Sequence, residues 1–572
     1  MPYRAPLRDI AFLLDHVVGF DAVQATPRFA DATPETTTAI LTEAARLCED
    51  VLAPLQRVGD THPAKLENGI VRTPPGFAGA FRAIADGGWL GISADPAHGG
   101  MGLPQTLAVV LNEMMASACL SMQIGPLMAQ GQVEALEHHA SDALKDMYLP
   151  RLIAGDWTAT MNLTEPQAGS DVGALRTRAE PLGDGSYAVT GQKIYISWGD
   201  HDMAENICHL VLARLPDAPE GTRGISLFMV PKFIPNADGS LGARNSLRVI
   251  SLEHKLGLHG SPTAVMSYEG ARGWLVGAEN KGMAAMFTMM NNARVGVGVQ
   301  GIGVAEVAYQ HAVAYARDRK QGAVGRDGGT GAIIDHADVR RMLATARAEI
   351  FAMRAIALAN TVAIDMATAT GAPEWVARAA LLTPITKAHG TDIGVEIANL
   401  GIQVHGGMGF VEETGAAQFL RDVRVTTIYE GTNGIQAMDL VGRKMSDGGE
   451  AIYRLLQEIE DLAKSARAPL PDMSAAIWDA AQALREGTDL MLTQDMQDRS
   501  AGAVPYLRAF ARVLGAHYHL KAVMAAPGDA ARLALAQVFV SRILPEHSGL
   551  LAQVRAGADG LYALSDDDLV AA

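Results

Sequence analysis

The sequence predicts a mainly α-helical protein with a small β-domain set between helical halves. Three observations carry that expectation. Up to about Gly155 apolar residues recur at helical spacing; from about Ala159 the pattern changes to short β-branched runs bounded by Gly, Asp and Pro; from Lys281 long Ala-rich amphipathic stretches return and persist almost to the end. At 572 residues the chain is several times the size of a typical domain of roughly 150 residues. The changes of period divide it into a helical region 1–158, a β-region 159–280 and a helical remainder, within which a further stretch, 446–572, is read as an extension of the bundle 281–445.

Thr37 to Ala53 places Ile40, Leu41, Ala44, Ala45, Leu47, Cys48 and Val51 near one face, and Leu107 to Met122 repeats the pattern with Leu107, Leu111, Met114 and Met115. Between them Gly88 to Pro104 is a Gly/Pro-punctuated loop. SYAVTGQKIYISWG, ICHLVLARL, GISLFMVPKF and AVMSYEGARGWLVG read as strands of an antiparallel β-domain, and Pro235 to Ser246 as a turn-rich insertion. The extension from Ser446 carries further helical runs and ends in a solvated acidic tail, Asp566 to Asp568.

Composition excludes several classes. A net charge of −16 lacks the basic footprint that nucleic acid requires. Cys48, Cys119 and Cys208 are far apart, so neither a disulfide framework nor a zinc site is expected and a reducing cytoplasm fits. The adjacent His138 and His139 lack metal-ligand spacing, and no metal is predicted. No apolar run is read as long enough to span a bilayer. The opening MPYRAPLRDIAFLLDH has neither a secretory h-region nor the acid-poor character of a transit peptide. GVGVQG, Gly296 to Gly301, matches a dinucleotide pattern, but Met-rich helical sequence precedes it rather than a strand. These glycines are read as close helix contacts, not as an NAD site.

Four strings carry chemistry. IYEGTNGIQ (Ile428 to Gln436) centres on Glu430; TEPQAGSD (Thr164 to Asp171) is a turn rich in hydrogen-bonding groups; GQKIYISWG (Gly191 to Gly199) is a strand carrying an aromatic and a hydroxyl; VHGGMGF (Val404 to Phe410) is a Gly-rich turn. In isolation each is ordinary. In this order, from the loop near Gly88 to Lys444, they resemble the motifs of the acyl-CoA dehydrogenase superfamily. That resemblance implies its fold: an N-terminal helical domain, a middle β-domain and a C-terminal helical bundle, here with a C-terminal extension.

The resemblance also implies bound FAD. Thr164 would bond the pyrimidine edge of the flavin ring, Met161 and Leu163 would lie against it, and Ser170 would contact pyrophosphate or CoA. Tyr195, where the family usually has Trp, would supply the aromatic surface next to Ile196. Ser197 would bond flavin N5, where a donor stabilises the reduced ring. Arg319 matches the Arg that reaches the flavin diphosphate from a partner subunit, a task suited to a guanidinium. Gln403, Gly406 and Gly407 belong to a turn that approaches the cofactor across a dimer interface, with His405 replacing a common aromatic. Thr432 and Asn433 would touch the adenine half.

By the same resemblance Glu430 removes the α-proton of an acyl-CoA thioester, which requires a carboxylate held dry. Its own backbone N–H and a ribityl hydroxyl would stabilise charge on the thioester oxygen, next to Gly431. Asn291, Arg294 and Ser170 would lie along the substrate. Some branches place the base just before this Arg; here that residue is Ala293, which leaves Glu430 as the one candidate.

The YRAPLRDIAFLLD opening, HKLGLHGSPT with His259 in place of a common Arg, and the extension resemble the bacterial 3-methylmercaptopropionyl-CoA branch. That branch acts in dimethylsulfoniopropionate catabolism and forms 3-(methylthio)acryloyl-CoA. A fatty acyl-CoA dehydrogenase of the same long architecture is the alternative, since a thioether and a methylene are nearly isosteric. Met283, Met286, Met289 and Met290 could offer soft contacts to sulfur, although core filling is their commoner role. A DNA-binding alkylation-response flavoprotein is disfavoured by an extension richer in acids than bases. A homodimer, with a tetramer as the alternative, and an electron-transfer flavoprotein as electron acceptor complete the expectation.

Overall fold

A computed structural model describes residues 3–324 and 329–570. The chain divides into two compact units: Pro34–Gly296 with the few residues before Pro6, and Pro6–Thr33 with Val297–Ala572.

In the first unit the helix expected at Thr37 to Ala53 begins at Pro34–Arg46 and widens into a π turn, Leu47–Leu52. The Gly88 to Pro104 loop holds two single 3-10 turns, Trp89–Gly91 and Pro96–His98. Helix α1 (Gln105–His139) runs further than the expected Leu107 to Met122 and breaks at Cys119, whose φ of −158° and ψ of 92° are not helical. Its buried amides satisfy one another in series. Gln123 donates to Asn112 (2.9 Å), Asn112 to Gln130 (2.7 Å) and Gln130 to the Trp89 carbonyl (3.2 Å). Buried polar groups are tolerated only when paired in this way.

The sheet is built from β1 (Trp157–Asn162), β2 (Arg178–Pro181), β3 (Tyr187–Ser197), β4 (Asn206–Arg214), β5 (Ile225–Pro231), β6 (Leu247–Leu252) and β7 (Thr263–Val276). Its path is β6-β7-β3-β2-β4-β1, and β5 pairs with both β7 and β4, so the strands return on themselves around Val189, Val211, Phe228, Val230 and Met266. The expected antiparallel domain is in fact mixed: β1 runs parallel to β4 in register Trp157↔Asn206. The long connection between them permits this, because parallel partners need a crossover rather than a hairpin. Part of the Pro235 to Ser246 insertion pairs as a ribbon, Phe233–Pro235 with Leu241–Arg244.

One buried ion pair anchors this domain. The Lys193 ammonium on β3, fully buried, donates to Glu165 (2.8 Å) and to the Leu163 carbonyl (2.9 Å). Glu165 also accepts from the backbone N–H groups of Arg176 (2.7 Å) and Thr177 (3.0 Å) and from the Thr177 hydroxyl (2.6 Å). Burial opposes the charge on Glu165, but Lys193 and these donors outweigh it and hold the carboxyl down at about 2; burial draws Lys193 down to about 8 against the pull of Glu165.

Helix α2 (Gly282–Asp318) leads into the second unit, which contains α3 (Ala337–Thr370), α4 (Pro373–His405), α5 (Asn433–Val441) and α6 (Met496–Ala525). The GVGVQG glycines lie inside α2, without a preceding strand, and let α4 approach. A Cβ at Gly298 would stand 2.7 Å from the Thr386 carbonyl oxygen and one at Gly301 2.3 Å from that of Gly390. The extension packs into the same unit. Buried Arg512 on α6 pairs with Glu349 of α3 and with Glu546 (2.8 Å). The opening helix Leu7–His16 also belongs here: Asp9 pairs with Arg347, and the Arg532 guanidinium lies 3.2 Å from the Phe12 ring centroid. Contrary to the sequence expectation, α1 and α3 are long and apolar enough to cross a bilayer, because each contains a continuous apolar window of 18 residues with at most two charges. Both are buried within the fold.

Gly301→Ala drives a Cβ into backbone that cannot move aside, so we expect a loss of about 1–3 kcal/mol, read as a lower thermal midpoint. Lys193→Met leaves Glu165 buried and unpaired at neutral pH, at a cost of about 3–5 kcal/mol. Because the pair depresses the Glu165 pKa, its stabilisation is present above the unfolded value of about 4.3 and is lost as pH falls through about 2. Denaturant titrations of wild type and variant should therefore converge in acid.

Candidate functional site

The residues expected against the flavin ring assemble at one end of the sheet. Register between β3 and β7 shifts between Ala264 and Met266, which pair with Ile196 and Lys193. Ile194 and Tyr195 thus form a bulge opposite Val265, a device that re-aims side chains. Tyr195 takes the left-handed conformation (φ 62°), uncommon for a bulky residue. The Ile194 N–H bonds the Thr164 carbonyl at 2.9 Å, which ties the Thr164 turn to the bulge. Lys193 holds the Leu163 carbonyl from the same strand. The Tyr195 side chain is 61% exposed, Met161, Leu163, Thr164 and Ser197 are half-buried, and Ile196 is buried behind them. An uncovered aromatic side chain beside the Thr164 turn, on a strand that also carries Ser197, suits the chemistry of a flat heteroaromatic ring. Ser170 lies exposed two residues beyond the turn closed by reciprocal Glu165 and Ala168 backbone bonds.

On α2, Arg294 is buried over the Phe287 ring (6.0 Å to the centroid) and reaches the Asn291 amide oxygen at 3.4 Å. Met286 and Met289 are fully buried, whereas Met283 and Met290 are half-buried. Beside them Asn292 donates to Glu134 of α1 (2.7 Å), and burial raises that carboxyl to about 7.

The Glu430 turn lies in the second unit. Helix Ala416–Val423 passes through the 3-10 turn Arg424–Thr427 into Ile428 and Tyr429; Glu430 (φ 57°) and Gly431 (φ 86°) are both left-handed, and Thr432 caps α5 by accepting from the Ile435 N–H at 3.3 Å. A Glu in this conformation costs roughly 1–2 kcal/mol and persists only where its surroundings impose it. Here the Tyr429 hydroxyl bonds Gln300, Gln436 donates to the Glu430 carbonyl (3.3 Å), and Asn433 is tied to α4. Burial and then the Glu430 charge hold the Tyr429 phenol protonated.

The His405 ring stacks on Tyr315 (4.4 Å) and His311 (4.6 Å). Burial keeps both imidazoles neutral, His311 at about 4. The stack joins the end of α2, where Arg319 is exposed one turn beyond Tyr315, to Gly406 and Gly407, with Gln403 exposed beside them. Gly406 has φ 59°, and nothing lies within 4 Å of a Cβ built at either glycine, so backbone is open to a ligand.

Sequence reasoning missed Lys193, Glu165, Lys387, Asp392 and Gln300, the groups that hold these turns. Lone charges inside apolar runs, as in LLTPITKAHG, were the available signal. The side chain of Asn433, expected at the adenine half, is occupied by α4.

The acyl-CoA dehydrogenase N-terminal, middle and C-terminal domain models match residues 34–156, 160–271 and 280–445, and an acetyl-CoA dehydrogenase C-terminal-like model matches 455–565. The chain is 44% identical to a 3-methylmercaptopropionyl-CoA dehydrogenase of Ruegeria pomeroyi, over 99% of this chain and 100% of the other. It is 36% identical to a butyryl-CoA dehydrogenase of Syntrophomonas wolfei, covering 77% and 75%. A crystal structure of an acyl-CoA dehydrogenase complexed with FAD from Bacillus anthracis superposes with a TM-score of 0.75 over 99% of this chain and 94% of the other, at 19% identity. The motifs, the fold and these likenesses agree: the chain belongs to the acyl-CoA dehydrogenase family, a family of oxidoreductases.

Proposed function

We propose that the chain binds FAD and oxidises 3-(methylthio)propanoyl-CoA to 3-(methylthio)acryloyl-CoA in the cytoplasm. The observation that carries the substrate is the full-length likeness to the Ruegeria enzyme, extension included. In this reading Tyr195, Ile196, Met161 and Leu163 seat the ring, Thr164 and Ser197 orient it, and Ser170, Asn291 and Arg294 hold the thioester. Arg319, Gln403, Gly406, Gly407, Thr432 and Asn433 serve the remainder of the cofactor, Asn433 through its backbone because its side chain is engaged.

Glu430 takes the proton from Cα of the thioester. The rigid turn aims its carboxylate, and the Glu430 backbone N–H donates to the thioester carbonyl, stabilising charge as it develops on oxygen. FAD, when bound, supplies the acceptor for the hydride leaving Cβ, so one proton and one hydride depart and a double bond forms. Electrons then pass to an electron-transfer flavoprotein. A second reading, oxidation of short straight-chain thioesters, is favoured by the likeness to butyryl-CoA dehydrogenase. A homodimer is supported by exposed apolar side chains in and next to the Gly-rich turn, Met408, Phe410 and Val411 (Phe410 is 88% exposed), and by exposed Ile428 before the base.

Anaerobic mixing of the yellow protein with 3-(methylthio)propanoyl-CoA should bleach the flavin rapidly, and faster than butanoyl- or palmitoyl-CoA. Glu430→Gln should slow bleaching by about 10²–10⁴-fold. A colourless protein, or a Gln variant as fast as wild type, would overturn the mechanism; faster bleaching by butanoyl-CoA would favour the second reading. Light scattering should give twice the mass of one chain, against four times for a tetramer.

A further inference from the structure

Asn433 follows the base by three residues, and its amide is used at both ends. Its oxygen accepts from the Lys387 ammonium (2.8 Å) and the Thr391 hydroxyl (3.2 Å); its NH2 donates to the Ala388 carbonyl (3.0 Å) and Asp392 (2.6 Å), and lies 2.9 Å from Thr391 Oγ1. All four partners lie on two successive turns of α4. Lys387 is fully buried there, which no apolar helix tolerates without a specific partner. Burial raises the Asp392 carboxyl, opposed by its bond from Asn433 and by Arg508 of α6, which also pairs with Glu396 one turn further along α4 (2.7 Å). Two further bonds on the turn, from Tyr429 to Gln300 and from Gln436 to the Glu430 carbonyl, hold the chain on either side of Glu430.

We propose that Asn433, clamped between Lys387 and Asp392, is a positioning residue that imposes the left-handed conformation of Glu430 and so fixes its carboxylate for proton abstraction. A Glu that prefers to relax out of this conformation stays in it because the segment after it is pinned to α4. The inference rests on Glu430 being the base. It extends the support of the reaction into the C-terminal extension, through Arg508.

The test compares holoenzymes of wild type, Asn433→Ala and the double variant Lys387→Met/Asn433→Leu, the latter replacing the buried polar pair by apolar side chains of similar size so that the protein folds without the clamp. Flavin content, thermal midpoint and stopped-flow bleaching with 3-(methylthio)propanoyl-CoA are measured, the concentration dependence separating the dissociation constant from the limiting rate. We expect both variants to bind the thioester within about twofold of wild type and to bleach roughly 10- to 100-fold more slowly, with a larger isotope effect from deuterium at Cα. Unchanged limiting rates in a folded, flavin-loaded variant would overturn the clamp, as would a rate loss matched by equal weakening of binding. If wild type itself fails to bleach, the acyl-CoA reading fails instead, so the two failures are distinct.

Discussion

A carboxylate that is to abstract a weakly acidic proton, the role proposed for Glu430, must be both basic and immobile, and here immobility is imposed by the backbone. Glu430 and Gly431 turn left-handed in succession, so the chain reverses between Tyr429 and the cap of α5 within three residues. That conformation is locally unfavourable for Glu. It is held by bonds from α2 through Gln300 and from α4 through Lys387, Thr391 and Asp392. Both helices are in place only because glycines at 298, 301 and 390 bring their backbones together. Base geometry and bundle packing are therefore one constraint.

The sheet solves a parallel problem. Tyr195 is also left-handed, and the cause is a bulge in β3 rather than a loop. The extra residue frees the Ile194 N–H for Thr164, and the next residue down the strand, Lys193, reaches inward to Glu165. The Leu163–Glu165 segment, distant in sequence, is thus fastened to one strand end. The buried pair is costly to desolvate, but Glu165 is saturated by backbone donors from Arg176 and Thr177, so the charge is compensated where it stands. The arrangement makes the backbone beside Tyr195 and Thr164 rigid.

Buried charge recurs in the second unit as the means by which remote segments dock. Arg512 of α6 engages Glu349 and Glu546, and Asp9 of the opening helix engages Arg347. Each pairs residues hundreds of positions apart or in separate helices. The extension and the opening helix are accordingly integral to the unit that carries Glu430, and α6 packs directly on α5.

The sequence by itself determined the order of helical and β regions, the strings TEPQAGSD, GQKIYISWG and IYEGTNGIQ, and Glu430 as the base candidate. Periodicity and short motifs are local, so they survive without coordinates. It also determined that the glycines of GVGVQG serve helix contact, since no strand precedes them. It could not determine the parallel pairing of β1 with β4, the bulge at Tyr195, the docking of the opening helix on α3, or the partners of Lys193 and Lys387. Only the tertiary structure decided these, because strand register and the compensation of a buried charge depend on groups far away in the chain. A lysine in an apolar helix has no legible role until the residue that accepts its proton donors is in place beside it.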